Sequence, residues 1–276
     1  MSGNLIVVGT PIGNLGDMSE RAVRALETAD FIAAEDTRVT VKLLNHFCIK
    51  KPMVSYFEHN KQQKGEHIVA RILAGETCAL VSDAGMPAIS DPGEELVAQC
   101  LAHNINVTVI PGPCALVSAL AISGLSTGRF TFEGFLSVNK KSRFEHLAEI
   151  KKEPRTMVFY EAPHKLLRTL KDLIEALGNR KVSIVRELTK IHEEVVLTTL
   201  QEAVEKYEST TPKGEFVLVV EGYTEPAELS RIPLENAIEM AQTLLKEGCA
   251  ISDAAKQAAK ATGLKKSDIY KGLLKG

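Results

Sequence analysis

Three glycine- and proline-rich segments carry most of the chemistry open to this sequence. The first, Gly9-Thr10-Pro11-Ile12-Gly13-Asn14-Leu15-Gly16-Asp17, follows a short apolar run and precedes a helix that Ser19 is placed to cap. Its glycines at 9, 13 and 16 match neither the G-x-G-x-x-G dinucleotide fingerprint nor a phosphate loop, which ends in Gly-Lys-Ser/Thr. The second segment runs from Val81 through Ser82-Asp83-Ala84-Gly85-Met86 to Gly93. It sets Asp83 where a ribose or amino group can be bonded, Gly85 where a ligand can approach backbone, and Asp91 where a helix can be capped. The third, Ile110-Pro111-Gly112-Pro113-Cys114-Ala115, frames a glycine with two prolines before another helix.

Four charged clusters join these turns: Glu35-Asp36-Thr37-Arg38, Glu58-His59-Asn60, Tyr160 to Lys165, and Arg186-Glu187-Leu188-Thr189-Lys190. Each also reads as a solvated loop or helix cap, but their repeated place after apolar runs points to one polar cleft. Two motifs are set aside. Gly124-Leu125-Ser126-Thr127-Gly128 has the letters of a nucleophile elbow, yet helix precedes it and strand follows, the reverse of what the elbow needs. His192-Glu193-Glu194 lacks the second histidine of a zinc helix, so no metal site is expected.

The elements that must position these residues alternate in type. Leu5–Val8, Phe31–Ala34, Met53–Tyr56, Cys78–Ser82 and Asn106–Ile110 read as strands. Between and after them Glu20–Thr28, Val39–Phe47, His67–Leu73, Glu94–His103 and Ala115–Ile122 read as helices, which makes a parallel sheet covered on both faces. The three turns then lie at the carboxyl edge of that sheet, where open α/β folds bind ligands. They describe a crevice for an adenosine-sized ligand held without a phosphate grip, and S-adenosylmethionine fits that description.

After residue 118 the rhythm changes: Phe130–Phe135, Thr156–Tyr160 and Val182–Glu187 are separated by helices, while Glu194–Leu200 follows directly and Glu215–Glu221 closes a second, mixed sheet. The polar stretch Gly222 to Pro233 reads as a linker. Beyond it Leu234–Lys246, Ser252–Ala261 and Lys266–Leu274 read as three helices stopped by Gly248 and Gly263. The expected fold class is therefore α/β, in domains 1–118 and 119–222, with a helical, helix-turn-helix-like module at 234–276.

Composition limits the classes. With 276 residues, 45% hydrophobic and 25% charged, the chain can build a sizeable core and is neither disordered nor collagen-like. Five scattered cysteines without C-x-x-C spacing argue against a disulfide framework, and no apolar run reaches the ~18 residues of a membrane helix. A cytoplasmic protein without membrane contact is the expectation. The net charge of −2 gives no global sign of a polyanion partner. Locally, however, seven lysines (246, 256, 260, 265, 266, 271 and 275) face three acids from Lys246 onward, as a nucleic-acid module would have. A solvated or dimerising bundle has the same look.

Taken together, GTPIGNLGD at 9–17, EDTR at 35–38, EHN at 58–60, SDAGMPAISDPG at 82–93, IPGP at 110–113, YEAPHK at 160–165 and RELTKIHEE at 186–194 closely resemble the ribosomal-RNA ribose-methylating branch of the tetrapyrrole methylase superfamily. The resemblance spans nearly the whole chain. It departs at Cys114, Lys165 and Ser137, where serine, arginine and proline are usual. It implies a homodimer of two-domain α/β chains that binds S-adenosylmethionine between the domains and 2′-O-methylates a cytidine in the decoding region of 16S rRNA in the small ribosomal subunit. It also implies cofactor contacts at Pro11, Asp83, Ala84, Gly85, Met86, Ile89, Pro113, Cys114, Tyr160 and Leu188.

The reaction implied is attack of a ribose hydroxyl on a sulfonium methyl, which needs alignment and removal of a proton. Asp36, Glu35, Glu187 and a deprotonated Lys190 are the candidate bases, and Arg38 and Lys165 the candidate phosphate contacts. Two rivals remain at this point. A methyltransferase of a small tetrapyrrole needs a deep apolar acceptor pocket and gives residues 234–276 no role. A non-catalytic RNA-binding protein uses those residues and ignores S-adenosylmethionine.

Overall fold

The structure is a computed structural model that describes residues 3–225 and 233–274, and the chain falls into two compact units, Met1–Gly222 and Tyr223–Gly276. In the first unit β1 (Asn4–Val8), β2 (Phe31–Ala34), β3 (Met53–Ser55), β4 (Cys78–Val81) and β5 (Asn106–Ile110) form one sheet ordered β3-β2-β4-β1-β5. All its pairs are parallel. The central strands β2 and β4 read FIAA and CALV and are buried throughout, as strands covered on both faces must be.

Alternate strand residues feed alternate faces. Leu5, Phe31 and Leu80 pack against Ile68 and Ile72 of α3 (Lys61–Leu73) and Leu96 of α4 (Gly93–Ala102). Val8, Ile32 and Val81 pack against Leu26 of α1 (Glu20–Thr28) and Leu44 of α2 (Thr37–His46). The chain therefore leaves the adjacent strands β1 and β4 toward opposite faces. Their carboxyl-end loops part there, and a crevice opens at that switch point.

A second sheet follows, ordered β6-β7-β10-β8-β9, from β6 (Phe130–Phe135), β7 (Thr156–Glu161), β8 (Lys181–Arg186), β9 (Glu194–Thr199) and β10 (Phe216–Val220). Only β6 and β7 run parallel, so it is mixed, as expected. One face packs on α6 (Lys140–Glu149), α7 (Leu166–Leu177) and α8 (Leu200–Ser209) through Leu147, Leu170, Leu173 and Val204. The other face takes α5 (Ala115–Ile122), whose Leu116, Ala119 and Leu120 lie on Val158, Val185 and Val219. Each of those two leucines contributes about 1.5–3 kcal/mol by burial. The boundary drawn at residue 118 thus falls inside a helix that belongs to the second sheet.

Several element limits differ from the expected ones for local reasons. Helix α2 starts at Thr37, not Val39, because the Asp36 side chain caps it by accepting from the Arg38 amide at 2.8 Å. Leu200 opens α8 and does not end a strand, since Thr199 and Glu202 form a reciprocal capping box. Helix α3 begins six residues before the expected His67: its first turn is polar and gives no apolar period to read.

Among its described residues the second unit has three helices, α9 (Leu234–Lys246), α10 (Ile251–Thr262) and α11 (Lys266–Leu273), packed through Ala237, Ala241, Ala254, Ala258 and Ile269. Gly263 ends α10 in the left-handed region at φ +70°. Residues 226–232 of the expected linker lie outside the described residues.

Candidate active site

The three turns that the sequence singles out are locked together by close backbone approach. A Cβ on Gly112 would stand 2.8 Å from the Cα of Gly9, and one on Gly9 would stand 2.7 Å from the Met86 sulfur. That sulfur accepts from the Gly112 amide at 3.2 Å. Thr10 and Gly85 exchange backbone hydrogen bonds of 2.9 and 3.2 Å, which joins the loop after β1 to the loop after β4. Glycine at 9 and 112 is therefore a packing requirement, and the loops after β1, β4 and β5 form one rigid floor.

Acidic residues gather on that floor. The Asp83 carboxylate accepts from the Asp36 amide at 3.0 Å, and the Glu35 carboxylate accepts from the Asp83 amide at 3.4 Å. Burial raises the pKa of Glu35, and the carboxylates of Asp83, Asp91 and Asp36 add to the rise against the Asp83 amide. Burial also raises Asp83. Asp91 accepts from the Gly93 amide at 2.8 Å and from Ala88 at 2.9 Å; the N-cap of α4 is Pro92, so Asp91 ties the loop before the helix and is not its cap.

The second sheet supplies the facing residues. The Tyr160 hydroxyl accepts from the Leu116 amide at 3.0 Å, and burial pushes its own pKa up to about 12. Glu161 is buried, accepting from the Ala162 amide at 2.7 Å and from the Thr169 hydroxyl at 2.5 Å. Leu188 lies in the loop after β8, and Phe135 ends β6. Together with the floor these enclose a cavity of about 370 Å³. Five acidic residues, Glu35, Asp83, Asp91, Glu161 and Glu215, are among its lining, with no lysine or arginine among the described lining residues; the Glu161 carboxylate is turned to Thr169 and that of Glu215 to Lys190.

Of the cofactor contacts that the resemblance implies, Asp83, Ala84, Gly85, Met86, Ile89, Cys114, Tyr160 and Leu188 line this cavity. Pro11 and Pro113 do not, although their neighbours Ile12 and Cys114 do. Of the candidate bases only Glu35 lines it. Asp36 is engaged with Arg38, by contacts of 2.6–3.1 Å to the guanidinium, which hold its carboxyl down to about 2. Glu187 accepts from Lys190 at 2.8 Å and from the Glu215 amide at 3.0 Å, and the lysine keeps its pKa low.

Lys190 differs from its expected role. Burial alone would favour its neutral form, but Glu187 at 2.8 Å and Glu215 at 3.2 Å outweigh that and raise its pKa. It is a fixed cation, not a deprotonated base. Its aliphatic stem lies against Gly13, where a Cβ would meet the Lys190 Cγ at 2.5 Å, so it ties the loop after β1 to the second sheet. Arg38, with 88% of its side chain exposed, is held by Asp36 through Nε and Nη2. Phe135, Val185 and Val217 line the cavity without having been singled out from the sequence, where they are ordinary strand residues. Among the described residues no cluster of His, Cys, Asp and Glu could hold a metal ion, and no helix is long and apolar enough to cross a membrane.

The family profile described as Tetrapyrrole (Corrin/Porphyrin) Methylases matches residues 4–204. The chain is 49% identical over 269 residues to a Synechocystis protein named Ribosomal RNA small subunit methyltransferase I, covering 97% of this chain and 96% of that one. It is 50% identical over 270 residues to a Halalkalibacterium halodurans protein of the same name, covering 97% and 93%. Among solved structures, uroporphyrin-III C-methyltransferase from Thermus thermophilus, complexed with S-adenosyl homocysteine, superposes with a TM-score of 0.56 at 19% identity, over 79% of this chain and 97% of that one. At that identity the likeness is one of fold.

Proposed function

The chain belongs to the tetrapyrrole (corrin/porphyrin) methylase family, and from that premise we propose that it is an S-adenosylmethionine-dependent ribosomal RNA methyltransferase, acting on the ribose 2′-hydroxyl of a cytidine in the decoding region of 16S rRNA. The observation that carries this reading is the cavity whose floor holds Glu35 and Asp83 and whose described lining includes no lysine or arginine. Such a wall suits a ligand that bears a sulfonium and an ammonium and no phosphate, and a volume near 370 Å³ falls within the usual range for small-molecule pockets.

S-adenosylmethionine, when bound, supplies a methyl group on a good leaving group. The loop Asp83–Met86, Ile89, Cys114, Tyr160 and Leu188 would hold it. The rest falls to the chain itself. Glu35 is the base of this reading: it lines the cavity, burial has raised its proton affinity, and it carries no ion pair among the described residues. A positioned base contributes on the order of 10²–10⁴ in rate, and alignment of the hydroxyl by the rigid floor contributes the larger share. Arg38 binds a phosphate flanking the acceptor. The same reading assigns the exposed Lys256, Lys260, Lys265, Lys266 and Lys271 of the second unit to RNA backbone. It makes the chain a homodimer, with exposed Val117, Val195 and Leu197 offering apolar surface for a second copy.

Calorimetric binding of S-adenosylmethionine to the protein and to Asp83→Ala, followed by labelled-methyl transfer to unmethylated 30S subunits, tests the reading. Binding that Asp83→Ala weakens, together with label in 16S rRNA, supports it. A protein that does not bind S-adenosylmethionine removes it.

A further inference from the structure

Phe135 is 57% exposed although it lines the cavity, and it is the one aromatic residue among the described lining that leaves more than half of its surface outside; Phe216 is 3% exposed and Tyr160 is half-buried. Its position depends on an irregularity in β6. Phe132 aligns with Val158 of β7, but Gly134 aligns with Phe159 and Phe135 with Tyr160, so one extra residue, Glu133, is accommodated between them. In a regular strand Phe132 and Phe135 would point to opposite faces. The bulge restores them to the same face, with ring centroids 5.0 and 5.5 Å from that of Tyr160. Gly134 makes this possible at φ +62°. The shift is anchored, because the carboxylate of the extra residue Glu133 accepts from His146 Nε2 at 2.8 Å. Just beyond, buried Arg143 donates to the carbonyls of Ser137 and Val138 at 2.9 and 3.2 Å. An apolar ring is thus turned out of the core and held, half in solvent, beside a cavity for a nucleoside.

We propose that Phe135 is the platform on which the base of the acceptor nucleotide stacks. This rests on the RNA-methylating function put forward above and deepens it. An RNA nucleotide whose ribose must reach a protein cavity has to leave its own stack, and aromatic side chains are the usual replacement for the lost neighbours. No lysine or arginine is among the described lining residues, so within the cavity the acceptor's favourable contact is with its uncharged part, while Arg38 lies outside it for a flanking phosphate. The exposed ring supplies that contact.

The test separates acceptor from cofactor. Phe135→Leu keeps an apolar side chain at an exposed position and removes the ring, and Phe135→Tyr keeps the ring. We expect kcat/KM for methyl transfer to unmethylated 30S subunits to fall roughly 5- to 150-fold in Phe135→Leu and to return in Phe135→Tyr, while S-adenosylmethionine affinity by calorimetry stays within about twofold. Transfer by Phe135→Leu equal to that of the unaltered protein overturns the proposal. A parallel loss of S-adenosylmethionine affinity overturns it too, since the ring would then serve the cofactor. If the unaltered protein binds S-adenosylmethionine yet methylates no RNA, the functional reading fails first and the platform falls with it.

Discussion

Ile89 and Leu188 line the same cavity from loops of different sheets, and each stands between two residues in the left-handed backbone region: Ala88 and Ser90, both at φ 67°, and Glu187 and Thr189, at φ 50° and 66°. Such residues cost on the order of 1–3 kcal/mol each, and surrounding contacts must hold them. Asp91 accepting from Ala88, and Glu193 accepting from the Thr189 amide at 2.6 Å, are those contacts. The result is a preorganised pair of apolar jaws. Because Ile89 is 42% exposed in the free protein, Ile89→Ala should leave the Tm nearly unchanged and weaken S-adenosylmethionine binding by about 1–2 kcal/mol, read by calorimetry against thermal melting.

The approach of Gly112 to Gly9 gives a second prediction. The three atoms nearest a Cβ at 112 are backbone atoms of Gly9, at 2.8–3.0 Å, and backbone cannot rotate away. Gly112→Ala should destabilise the protein by about 1–3 kcal/mol and lose cofactor binding with it. Gly128→Ala, where a Cβ meets nothing within 4 Å, is the control and should melt with the unaltered protein.

Glu35 gives a prediction in pH. Its folded pKa is raised, so the native state holds this proton more tightly than the unfolded chain does. Its contribution to stability is therefore favourable at low pH and is lost as pH rises past the ordinary glutamate range. Glu35→Gln should thus be no less stable than the unaltered protein at pH 7. Its methyl transfer should nonetheless fall on the order of 10²–10⁴-fold. In the unaltered protein the acid limb of the pH–rate profile should lie above the value for a free glutamate, and Glu35→Gln should abolish that limb.

A buried ion pair supports the end of β6. Arg143 donates to Asp172 at 2.7 Å, with 4% and 12% of the two side chains exposed, while the same guanidinium holds the Ser137 and Val138 carbonyls. Asp172→Ala leaves that charge buried and unpaired. It should cost about 3–5 kcal/mol in denaturant unfolding, far more than Glu20→Ala, whose pair with Arg24 is exposed on both sides.

Much of this was readable in the residues. Both sheets, the turns at the carboxyl edge and the place of Asp83 followed from apolar runs of strand length and from glycine–proline punctuation, because buried strands and tight turns leave those marks. What escaped reading depends on partners distant in sequence. Lys190 looks like a lysine in a cleft until Glu187 and Glu215 converge on it and fix it as a cation. Phe135 looks like one more apolar strand residue, since a bulge is a relation between two strands; Gly134 is its only local trace. The α8 start was legible in Thr199-Leu200-Gln201-Glu202, a capping-box sequence that the run of β-branched residues before it obscures.

The central claim is tested most directly by incubating the protein with methyl-labelled S-adenosylmethionine and unmethylated 30S subunits, digesting the 16S rRNA to nucleosides and identifying the labelled one by mass spectrometry. The account predicts label in a cytidine whose mass gain resides on the ribose, formed on the order of 10²–10⁴-fold more slowly with Glu35→Gln. Label on a base, or on no nucleoside at all while S-adenosylmethionine is bound, would contradict it.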